Sequence, residues 1–470
     1  RRLRITVVGA GHVGLVSAVS LATIGHRLRV LDVDAARIES LRRGETPFVE
    51  PYLPEFLRRT IARGELTFHT DAREATAGAD IVFICVGTPN LPDGSVDMRG
   101  LIDATRAVAT HAPAGTAIVS RSTAPVGTAS YLRSLVVETR GDDNACVAVN
   151  PEFLAEGTAI RDFLFPDRIV IGAMTSKAVE RVREAYEPIV ARRLPTWLPA
   201  GLAGTAAAAD EDVPVVVTDP PTAELTKYAA NAFLAVRISF INEIATIAEE
   251  MGADVTRVAH AIGLDPRIGP HFLAAGVGWG GSCFPKDIVA LQGMAQTRGV
   301  QARMLQAAND INTDQRRWVR RQLQRHLRTL VGRRVCLFGL AFKANTDDLR
   351  HAPALEIAAE LAVEGVRVRA YDPAVTALPA HLADVVEIMD GPLAAAEGAE
   401  AIVVVTDWPE FRAIDLDALR AVVRLPLLLD GRNGLDRVRA EQAGFTYVGV
   451  GRPVASPVTL EESVAAAADF

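Results

Sequence analysis

The chain has 470 residues, of which 49% are apolar, and its formal net charge is −7. This length favours two or three domains, and the acidic balance argues against a general affinity for nucleic acid or anionic membranes. We expect no membrane helix, because no apolar run approaches the ~20 residues required. The N-terminal residues enter a strand at once, which predicts no signal peptide.

The first third alternates short apolar runs with helical stretches. Because the runs are continuously apolar, they are typical of parallel strands that helices cover on both faces. This third is therefore predicted to be a doubly wound α/β domain. The runs are "RITVVGA", "RLRVLDVD", "DIVFICVG", "TAIVSRST" and "CVAVNPE".

The first strand leads into a G-x-G-x-x-G turn formed by Gly9, Gly11 and Gly14. Such glycines allow a tight turn, close approach of a pyrophosphate and close helix–strand packing. The next strand ends at Asp32, whose carboxylate would accept the ribose hydroxyls and repel a 2′-phosphate. The pattern therefore favours NAD over NADP, although Arg37 lies nearby.

A long helix is predicted over 221–252, with Thr222 as its N-cap and Gly252 at its C-terminus. Lys227 and Asn231 are four residues apart and lie on one face of it. A lysine on a mostly buried helix could serve as a base with a lowered pKa, or its stem could extend toward solvent as a structural residue. The low-complexity residues 199–213 before the helix are interpreted as an exposed loop insertion.

The stretch "GVGWGGSCFPKD" (276–287) holds one of only four cysteines. Its glycines would leave Cys283 approachable, while Lys286 and a helix starting near Pro285 would favour the thiolate. We interpret Cys283 as a nucleophile; the alternative is an incidental cysteine in a tight loop. Cys85, Cys146 and Cys336 lie in apolar runs and are interpreted as core residues. Without a CxxC pair, a reduced cytoplasmic protein without a structural metal is expected.

The last third repeats the scheme of the first, after a second long helix predicted over 300–330. "GADIVFICVGTP" (78–89) aligns with "GAEAIVVVTDWP" (398–409), and Asp372 corresponds to Asp32. Two Rossmann-like doubly wound domains joined by a central helical domain are predicted. Lys343 and Arg350 of the second could hold a diphosphate or be solvated surface charges. The predicted domain boundaries are 1–215, which would bind NAD, 216–315, which is helical, and 316–470, which would bind a phosphate-bearing ligand other than a dinucleotide.

A nicotinamide site combined with a nucleophilic cysteine indicates a four-electron oxidation. The thiolate would capture an aldehyde, the adduct would lose a second hydride, and water would hydrolyse the thioester. Lys227, Asp287 and Glu156 are the candidate bases. A two-electron hydroxy-acid dehydrogenase would leave Cys283 unexplained, and a binding protein without turnover would need none of these four residues.

The chain resembles the UDP-glucose/GDP-mannose dehydrogenase family over nearly its whole length. The resemblance is carried, in order, by "GAGHVGL", "FICVGTPNLPDGSVDM", "STAPVGT", "NPEFLAEGTAI", "PDRIVIG", "ELTKYAANAFLAVRISFINE", "DPRIG", "GWGGSCFPKD", "GLAFKANTDDLRHAPALEI" and "DGRN". It implies NAD-dependent oxidation of UDP-glucose to UDP-glucuronate by a homodimer, with 216–315 as the dimerisation domain and 316–470 as the UDP-sugar-binding domain. GDP-mannose or another UDP-sugar is the alternative substrate.

The resemblance also implies roles for individual residues. Cys283 would be the nucleophile, Lys227 and Asp287 would steady the oxyanion and activate water with help from Asn231, and Glu156 would act in hydrolysis. Arg267 would reach the neighbouring subunit's site. The implied cofactor contacts are Gly9, Gly11, His12, Val13, Gly14, Asp32, Arg37, Thr88, Thr123, Glu156 and Lys286. The implied substrate contacts are Glu152, Phe153, Leu154, Lys227, Asn231, Arg267, Phe272, Gly280, Phe342, Lys343 and Arg432.

Several positions depart from the family's pattern. His12 stands where the family usually has tyrosine, and Trp279 replaces a common phenylalanine. "RHAP" (350–353) lacks the usual Glu-Ser before its proline, and the 199–213 insertion has no evident counterpart. None of these departures falls on a proposed catalytic residue.

Overall fold

The computed structural model describes residues 1–141, 145–203 and 212–453. The chain divides into two compact units. The first contains residues 1–231 and 286–301, and the second contains residues 232–285 and 302–470. The predicted insertion at 199–213 lies outside the described residues at 204–211.

The first unit contains an eight-stranded sheet whose members follow the order β3-β2-β1-β4-β5-β6-β7-β8. Its strands are β1 Arg4–Val8, β2 Arg27–Leu31, β3 Leu66–His69, β4 Ile81–Ile84, β5 Ala117–Ser120, β6 Val147–Val149, β7 Ile169–Ala173 and β8 Val215–Thr218. Neighbouring strands are parallel except for β6 and β7. The central β4 and β5 are buried along their whole length, as their unbroken apolar runs predict.

Helices connect these strands and cover the sheet. They are α1 His12–Thr23, α2 Ala35–Arg42, α3 Leu53–Ala62, α4 Ala72–Thr76, α5 Arg99–His111, α6 Thr128–Arg140, α7 Ala159–Leu164 and α8 Ser176–Val190. Helix α1 is buried over ten of its twelve residues, which explains why it is apolar around almost its whole circumference.

The predicted long helix is α9, Pro220–Met251. Its N-terminal turn is bound by Asp219, whose carboxylate accepts the Thr222 amide at 2.9 Å and the Thr222 hydroxyl at 2.8 Å. The expected cap at Thr222 is therefore wrong, because the helix begins two residues earlier. Gly252 ends the helix with φ of +68°, as predicted.

Helix α9 also corrects the expectation that no segment is apolar and long enough to span a membrane. By length and composition alone it passes that test, the one helix to do so within the described part of the chain. A core helix of a water-soluble protein passes the same test.

The second unit contains a six-stranded, all-parallel sheet in the order β11-β10-β9-β12-β13-β14. Its strands are β9 Arg334–Phe338, β10 Arg367–Tyr371, β11 Val386–Ile388, β12 Ala401–Val404, β13 Leu427–Asp430 and β14 Thr446–Gly449. This order is that of a dinucleotide-binding doubly wound sheet. The predicted pair of Rossmann-like sheets is confirmed.

The remaining helices are α10 Val255–Gly263, α11 Phe284–Gln296, α12 Arg303–Arg316, α13 Trp318–Leu327, α14 Pro353–Val363, α15 Ala380–Ala383, α16 Pro392–Ala396, α17 Pro409–Arg412, α18 Leu416–Val422 and α19 Arg437–Gln442. The single helix predicted over 300–330 is wrong, because α12 and α13 are separated at Arg317. After the break Trp318 is buried and donates its indole N–H to Glu249 at 2.8 Å.

Candidate active site

The glycine-rich turn after β1 has a distinct steric demand at each glycine. Gly9 has φ of +99°, and a Cβ there would lie 2.8 Å from the Cys85 carbonyl oxygen. A Cβ on Gly14 would lie 1.9 Å from the Gly9 carbonyl oxygen, whereas a Cβ on Gly11 would meet no atom within 4 Å. Gly9 and Gly14 are therefore required by the fold, and Gly11 borders open space.

The N-terminus of α1 fits an anionic group. Gly11 is its N-cap and no side chain caps the first turn, so the amides of His12 and Val13 begin a helix whose dipole favours negative charge. The open space beside Gly11 would admit a pyrophosphate. These residues fit the predicted dinucleotide.

Asp32 follows β2 at the same edge of the sheet. One carboxylate oxygen accepts the Ala10 amide at 2.6 Å, and the other accepts the Asp34 amide at 2.9 Å. Arg37 Nη1 lies 3.5 Å from Oδ2. The carboxylate is thus fixed against the glycine turn, where the predicted ribose contact requires it.

Thr88 and Thr123, both predicted cofactor contacts, are joined directly. The Thr88 hydroxyl donates to the Thr123 carbonyl oxygen at 2.6 Å. Because these residues follow β4 and β5, the bond connects two neighbouring loops at the carboxyl ends of the strands, where such sheets bind ligands.

Lys227 is buried and forms an ion pair with Glu152, with Nζ 2.8 Å from Oε1. Burial alone would raise the pKa of Glu152, but the charge and hydrogen bond of Lys227 and the Leu154 amide outweigh it, so this pKa is lowered. Only 5% of the Lys227 side chain is exposed, so the alternative of a stem that extends to solvent is wrong. The ammonium also lies 5.6 Å from the centre of the Phe153 ring.

One helical turn further along α9, Asn231 donates its side-chain amide to Asp287 Oδ2 at 2.6 Å. Lys286 Nζ lies 2.5 Å from the other oxygen, and the Asp287 side chain is 1% exposed. The Lys286 carbonyl oxygen in turn accepts the Asn90 amide at 3.0 Å. The first unit therefore brings together the predicted residues Glu152, Lys227, Asn231, Lys286 and Asp287.

A buried carboxylate on α9 that the sequence analysis missed supports the "STAPVGT" loop. Glu224 accepts the amides of Gly127 and Ala129 at 2.6 and 2.7 Å, where α6 begins. Burial raises the pKa of Glu224, against the lowering effect of these two bonds. The loop carries Thr123, so Glu224 holds it from the helix that bears Lys227. Glu224 lies three residues before Lys227 on the same face of α9, so this spacing could have identified it from the sequence.

Cys283 differs from the other cysteines as predicted. It is half-buried, whereas the other three are buried. Burial raises the pKa of Cys85 to about 12, and it also raises the pKa of Cys146 and Cys336. Cys283 directly precedes α11, the helix whose first turn contains Asp287, and a helix N-terminus favours a thiolate.

The glycines before Cys283 have a packing function that the sequence analysis did not foresee. A Cβ on Gly280 would lie 2.0 Å from the His351 carbonyl oxygen, and one on Gly281 would lie 2.7 Å from the Phe342 ring. These two glycines therefore allow the loop to pack closely against other residues of the second unit.

Trp279 anchors the same loop. Its backbone amide donates to Asn312 Oδ1 at 2.8 Å, its carbonyl accepts from Asn312 and Arg316, and its indole N–H donates to Ser239 at 3.0 Å. The indole bond is available to tryptophan and not to the phenylalanine that the family commonly has. The loop before Cys283 is thereby fixed on two helices of the second unit.

The second unit also holds the predicted substrate residues around this loop. Arg432 donates to the carbonyl oxygens of Val405 at 2.7 Å and Gly278 at 3.0 Å, and burial lowers its pKa to about 10. Lys343 Nζ lies 5.4 Å from the centre of the Phe342 ring. Arg350 forms an ion pair with Asp348 at 2.7 Å, so its charge is largely compensated.

Two further predicted substrate residues lie between α10 and the glycine-rich loop that precedes Cys283. Phe272 has φ of +61° and a partly exposed side chain. Arg267 is 87% exposed and pairs with Asp265 at 2.6 Å. Its exposure leaves it able to contact another subunit. Among the described residues, no group of three or more His, Cys, Asp and Glu side chains is arranged to hold a metal ion.

Comparison with known protein families gives three matches in chain order. Sequence models of the UDP-glucose/GDP-mannose dehydrogenase family match residues 3–190 as the NAD binding domain, 221–314 as the central domain and 336–437 as the UDP binding domain.

Individual relatives match over nearly the whole chain. The UDP-glucose 6-dehydrogenase YwqF of Bacillus subtilis is 39% identical over 97% of this chain and 99% of its own. A UDP-glucose 6-dehydrogenase of Rhizobium meliloti is 40% identical over 96% of this chain and all of its own. The structure of a UDP-glucose dehydrogenase from Pyrobaculum islandicum has a TM-score of 0.84 at 38% identity, covering 96% of this chain and 98% of that one.

Proposed function

The chain belongs to the UDP-glucose/GDP-mannose dehydrogenase family, and from that premise we propose that it oxidises UDP-glucose to UDP-glucuronate through a thioester on Cys283. One observation carries the covalent part of the proposal. Half-buried Cys283 precedes the same helix, α11, whose Asp287 is buried and bonded to Asn231. A simple alcohol dehydrogenase needs no such cysteine.

The cofactor is NAD, which accepts one hydride in each of two oxidation steps when bound. The His12 and Val13 amides at the N-terminus of α1 would hold its pyrophosphate, and Asp32 would accept its ribose hydroxyls. Thr88 and Thr123 lie at the adjoining loops. Lys286 and Glu156 remain predicted contacts.

The covalent steps use the buried polar residues. The Cys283 thiolate adds to the C6 aldehyde formed by the first oxidation, and Lys227 with Asn231 stabilises the resulting oxyanion. Loss of a hydride from this thiohemiacetal gives the thioester. Water activated by Glu156 and Asp287, beside Thr123, hydrolyses it. One UDP-glucose, two NAD⁺ and one water give UDP-glucuronate, two NADH and three protons, and the thiol is restored.

The nucleotide sugar would lie against the residues that follow β9 and β13. Lys343 and Arg432 provide positive charge for a diphosphate, while Phe272, Gly280 and Phe342 would line the sugar and base. Glu152, Phe153 and Leu154 complete the predicted set. Lys343→Ala should raise the KM for UDP-glucose without changing that for NAD.

We also propose a homodimer formed through α9. Apolar side chains are exposed along one side of this helix at successive spacings of eight, seven, seven and four residues: Leu225, Phe233, Phe240, Ile247 and Met251. An apolar stripe of this spacing is typical of a helix that packs on another helix. Exposed Arg267 would then reach the neighbouring active site. The cytoplasmic location and the three domain boundaries remain predictions.

The substrate assignment is tested by initial rates with UDP-glucose, GDP-mannose and other UDP-sugars, each with NAD and with NADP. We expect the highest kcat/KM for UDP-glucose with NAD. Preference for GDP-mannose or another UDP-sugar would keep the mechanism and change the specificity. Failure to oxidise any sugar while NAD still binds would indicate a nucleotide-sugar-binding protein.

A further inference from the structure

A buried carboxylate outside the predicted site joins the glycine turn to the loop that carries Glu156. Glu50 lies three residues before α3, and its side chain is completely buried. Its Oε2 lies 2.9 Å from His12 Nε2 and accepts the Gly157 amide at 2.7 Å, while Oε1 accepts the Ala159 amide at 2.9 Å.

These contacts are long-range in sequence. Glu50 is 38 residues from His12 and more than 100 residues from Gly157 and Ala159. A carboxylate without water is stable only when hydrogen bonds replace its hydration, and three donors do so here. The His12 ring also lies against Phe48, with 4.7 Å between ring centres, which fixes the imidazole beside the carboxylate.

The loop from Glu152 to Ala159 has two kinds of support. Its first half is held locally, since Glu152 accepts the Leu154 amide at 2.7 Å and Asp162 accepts the Ala155 amide at 3.0 Å. The amides just after Glu156, by contrast, are held by Glu50. Gly157 has φ of +84°, so the chain turns sharply at the first of these two bonds.

We propose that Glu50 is a positioning residue that fixes the backbone of Glu156 for hydrolysis of the thioester. Through His12 the same carboxylate connects the NAD-binding turn to this loop. The inference rests on the proposed function, in which Glu156 activates water.

The bonds of Glu50 to the loop and its contact with His12 should affect different steps of the reaction. Loss of the Glu50 carboxylate leaves at least one loop amide without its acceptor, so Glu156 shifts while the glycine turn keeps its own backbone. Hydrolysis should then slow by about tenfold, below the ~100-fold cost of a 1 Å misplacement, while formation of the thioester continues. Loss of the His12 contact should instead weaken NAD binding.

The test compares Glu50→Gln and His12→Phe with Glu65→Gln, a control that alters a buried carboxylate before β3. Each protein is mixed with saturating NAD and UDP-glucose and quenched in acid, and the intact mass reports the fraction of Cys283 carrying the sugar nucleotide. A rapid NADH trace gives the burst per site, and calorimetry gives NAD affinity in the absence of sugar.

For Glu50→Gln we expect about a tenfold larger adduct fraction than in wild type and a burst of two NADH per site before a slow steady state. His12→Phe should show a wild-type adduct fraction and a several-fold higher NAD Kd. Glu65→Gln should match wild type in both. If Glu50→Gln does not fold, Glu50→Asp keeps the charge with a shorter side chain and should give an intermediate adduct fraction.

An adduct fraction and burst equal to wild type in a folded Glu50 variant, even with a lower Tm, would overturn the inference and leave Glu50 a structural residue. If wild type itself forms fewer than two NADH per UDP-glucose, the proposed function fails first. The two failures are therefore distinguishable.

Discussion

The Asn231 side-chain amide and the Asp287 carboxylate are joined by a 2.6 Å hydrogen bond between α9 and α11. Asp287 is buried, and its other oxygen is engaged by Lys286. Since α11 begins directly after Cys283, this bond holds the helix that follows the proposed nucleophile. Under the proposed mechanism it would serve catalysis as well as the fold.

Replacing Asn231 by alanine should lower kcat about 10- to 100-fold, corresponding to about 1.4 to 2.7 kcal/mol in the barrier. The reason is that Asp287 loses one of its two donors and the oxyanion loses a stabilising amide. The KM for NAD should stay unchanged. Steady-state kinetics check this, with Thr226→Ala on the same helix as the control, because its hydroxyl donates within the helix to the Thr222 carbonyl oxygen. A kcat equal to that of the control would contradict the assignment.

The buried ion pair of Lys227 and Glu152 predicts a specific stability pattern. Lys227→Met leaves the Glu152 carboxylate buried without its cation, which should cost about 3 to 5 kcal/mol of unfolding free energy near neutral pH. The double variant with Glu152→Gln removes both charges and should recover most of that loss. Neither protein should be active, because both lack the cation. Denaturant unfolding provides the measurement, and equal instability of both variants would exclude the pair as the cause.

The same ion pair predicts that the stabilities of wild type and of Lys227→Met depend on pH in opposite directions. In wild type the pKa of Glu152 is lowered by folding, so its stabilisation is present above the ordinary glutamate pKa of about 4.3 and is lost as pH falls through the lower folded value. Lys227→Met removes the lysine's charge and hydrogen bond, so burial should outweigh the remaining Leu154 hydrogen bond and the Arg121 charge and raise the pKa of Glu152. Stability of this variant should therefore fall as pH rises from about 4 to 7. Thermal unfolding measured from about pH 2 to about pH 7 would show both slopes, the wild-type slope below about pH 4 and that of the variant above it. If the stabilities of wild type and Lys227→Met changed with pH in parallel, the Lys227–Glu152 ion pair would not be the cause.

The glycine turn offers a matched pair of substitutions. Gly11→Ala should fold normally, because its Cβ meets open space, but the methyl group should exclude the pyrophosphate and weaken NAD binding at least tenfold. Gly14→Ala should fail to fold or lose several kcal/mol, because its Cβ would lie 1.9 Å from the Gly9 carbonyl oxygen. Circular dichroism and NAD titration check the pair. Unchanged NAD affinity in Gly11→Ala would remove the cofactor from this turn.

The apolar stripe of α9 predicts the oligomeric state. Phe233 is 60% exposed in one chain, so Phe233→Asp should place a charge in the proposed interface and produce a monomer in sedimentation experiments. Val363→Asp, at an exposed position on α14 outside the stripe, should leave the dimer intact. A dimeric Phe233→Asp protein would locate the interface elsewhere.

Much of the fold could be predicted because parallel strands buried on both faces are continuous apolar runs. β1, β4 and β9 are recognisable in this way. The short edge strands were harder to predict: β3 is only Leu66–His69, and β8 is half exposed. The helix break at Arg317 depends on the side chains that each half buries, which a run of helix-forming residues does not reveal.

The candidate site was predictable where its residues are close in sequence, as for Lys227 with Asn231 or Cys283 with Asp287. The partners of these residues were not predictable. Glu152 neutralises Lys227 across the unit, and the three donors to Glu50 come from two distant segments. Such contacts depend on the tertiary packing of β6, α7 and α9, which no local pattern encodes.

The most direct test of the central proposal is the yield of NADH, measured at 340 nm, from a limiting amount of UDP-glucose with wild type and with Cys283→Ser. Wild type should form two NADH per UDP-glucose and release UDP-glucuronate. The serine variant should not complete the second oxidation, because a hydroxyl replaces the thiolate that captures the aldehyde. If Cys283→Ser still forms two NADH per sugar, the thioester mechanism is wrong.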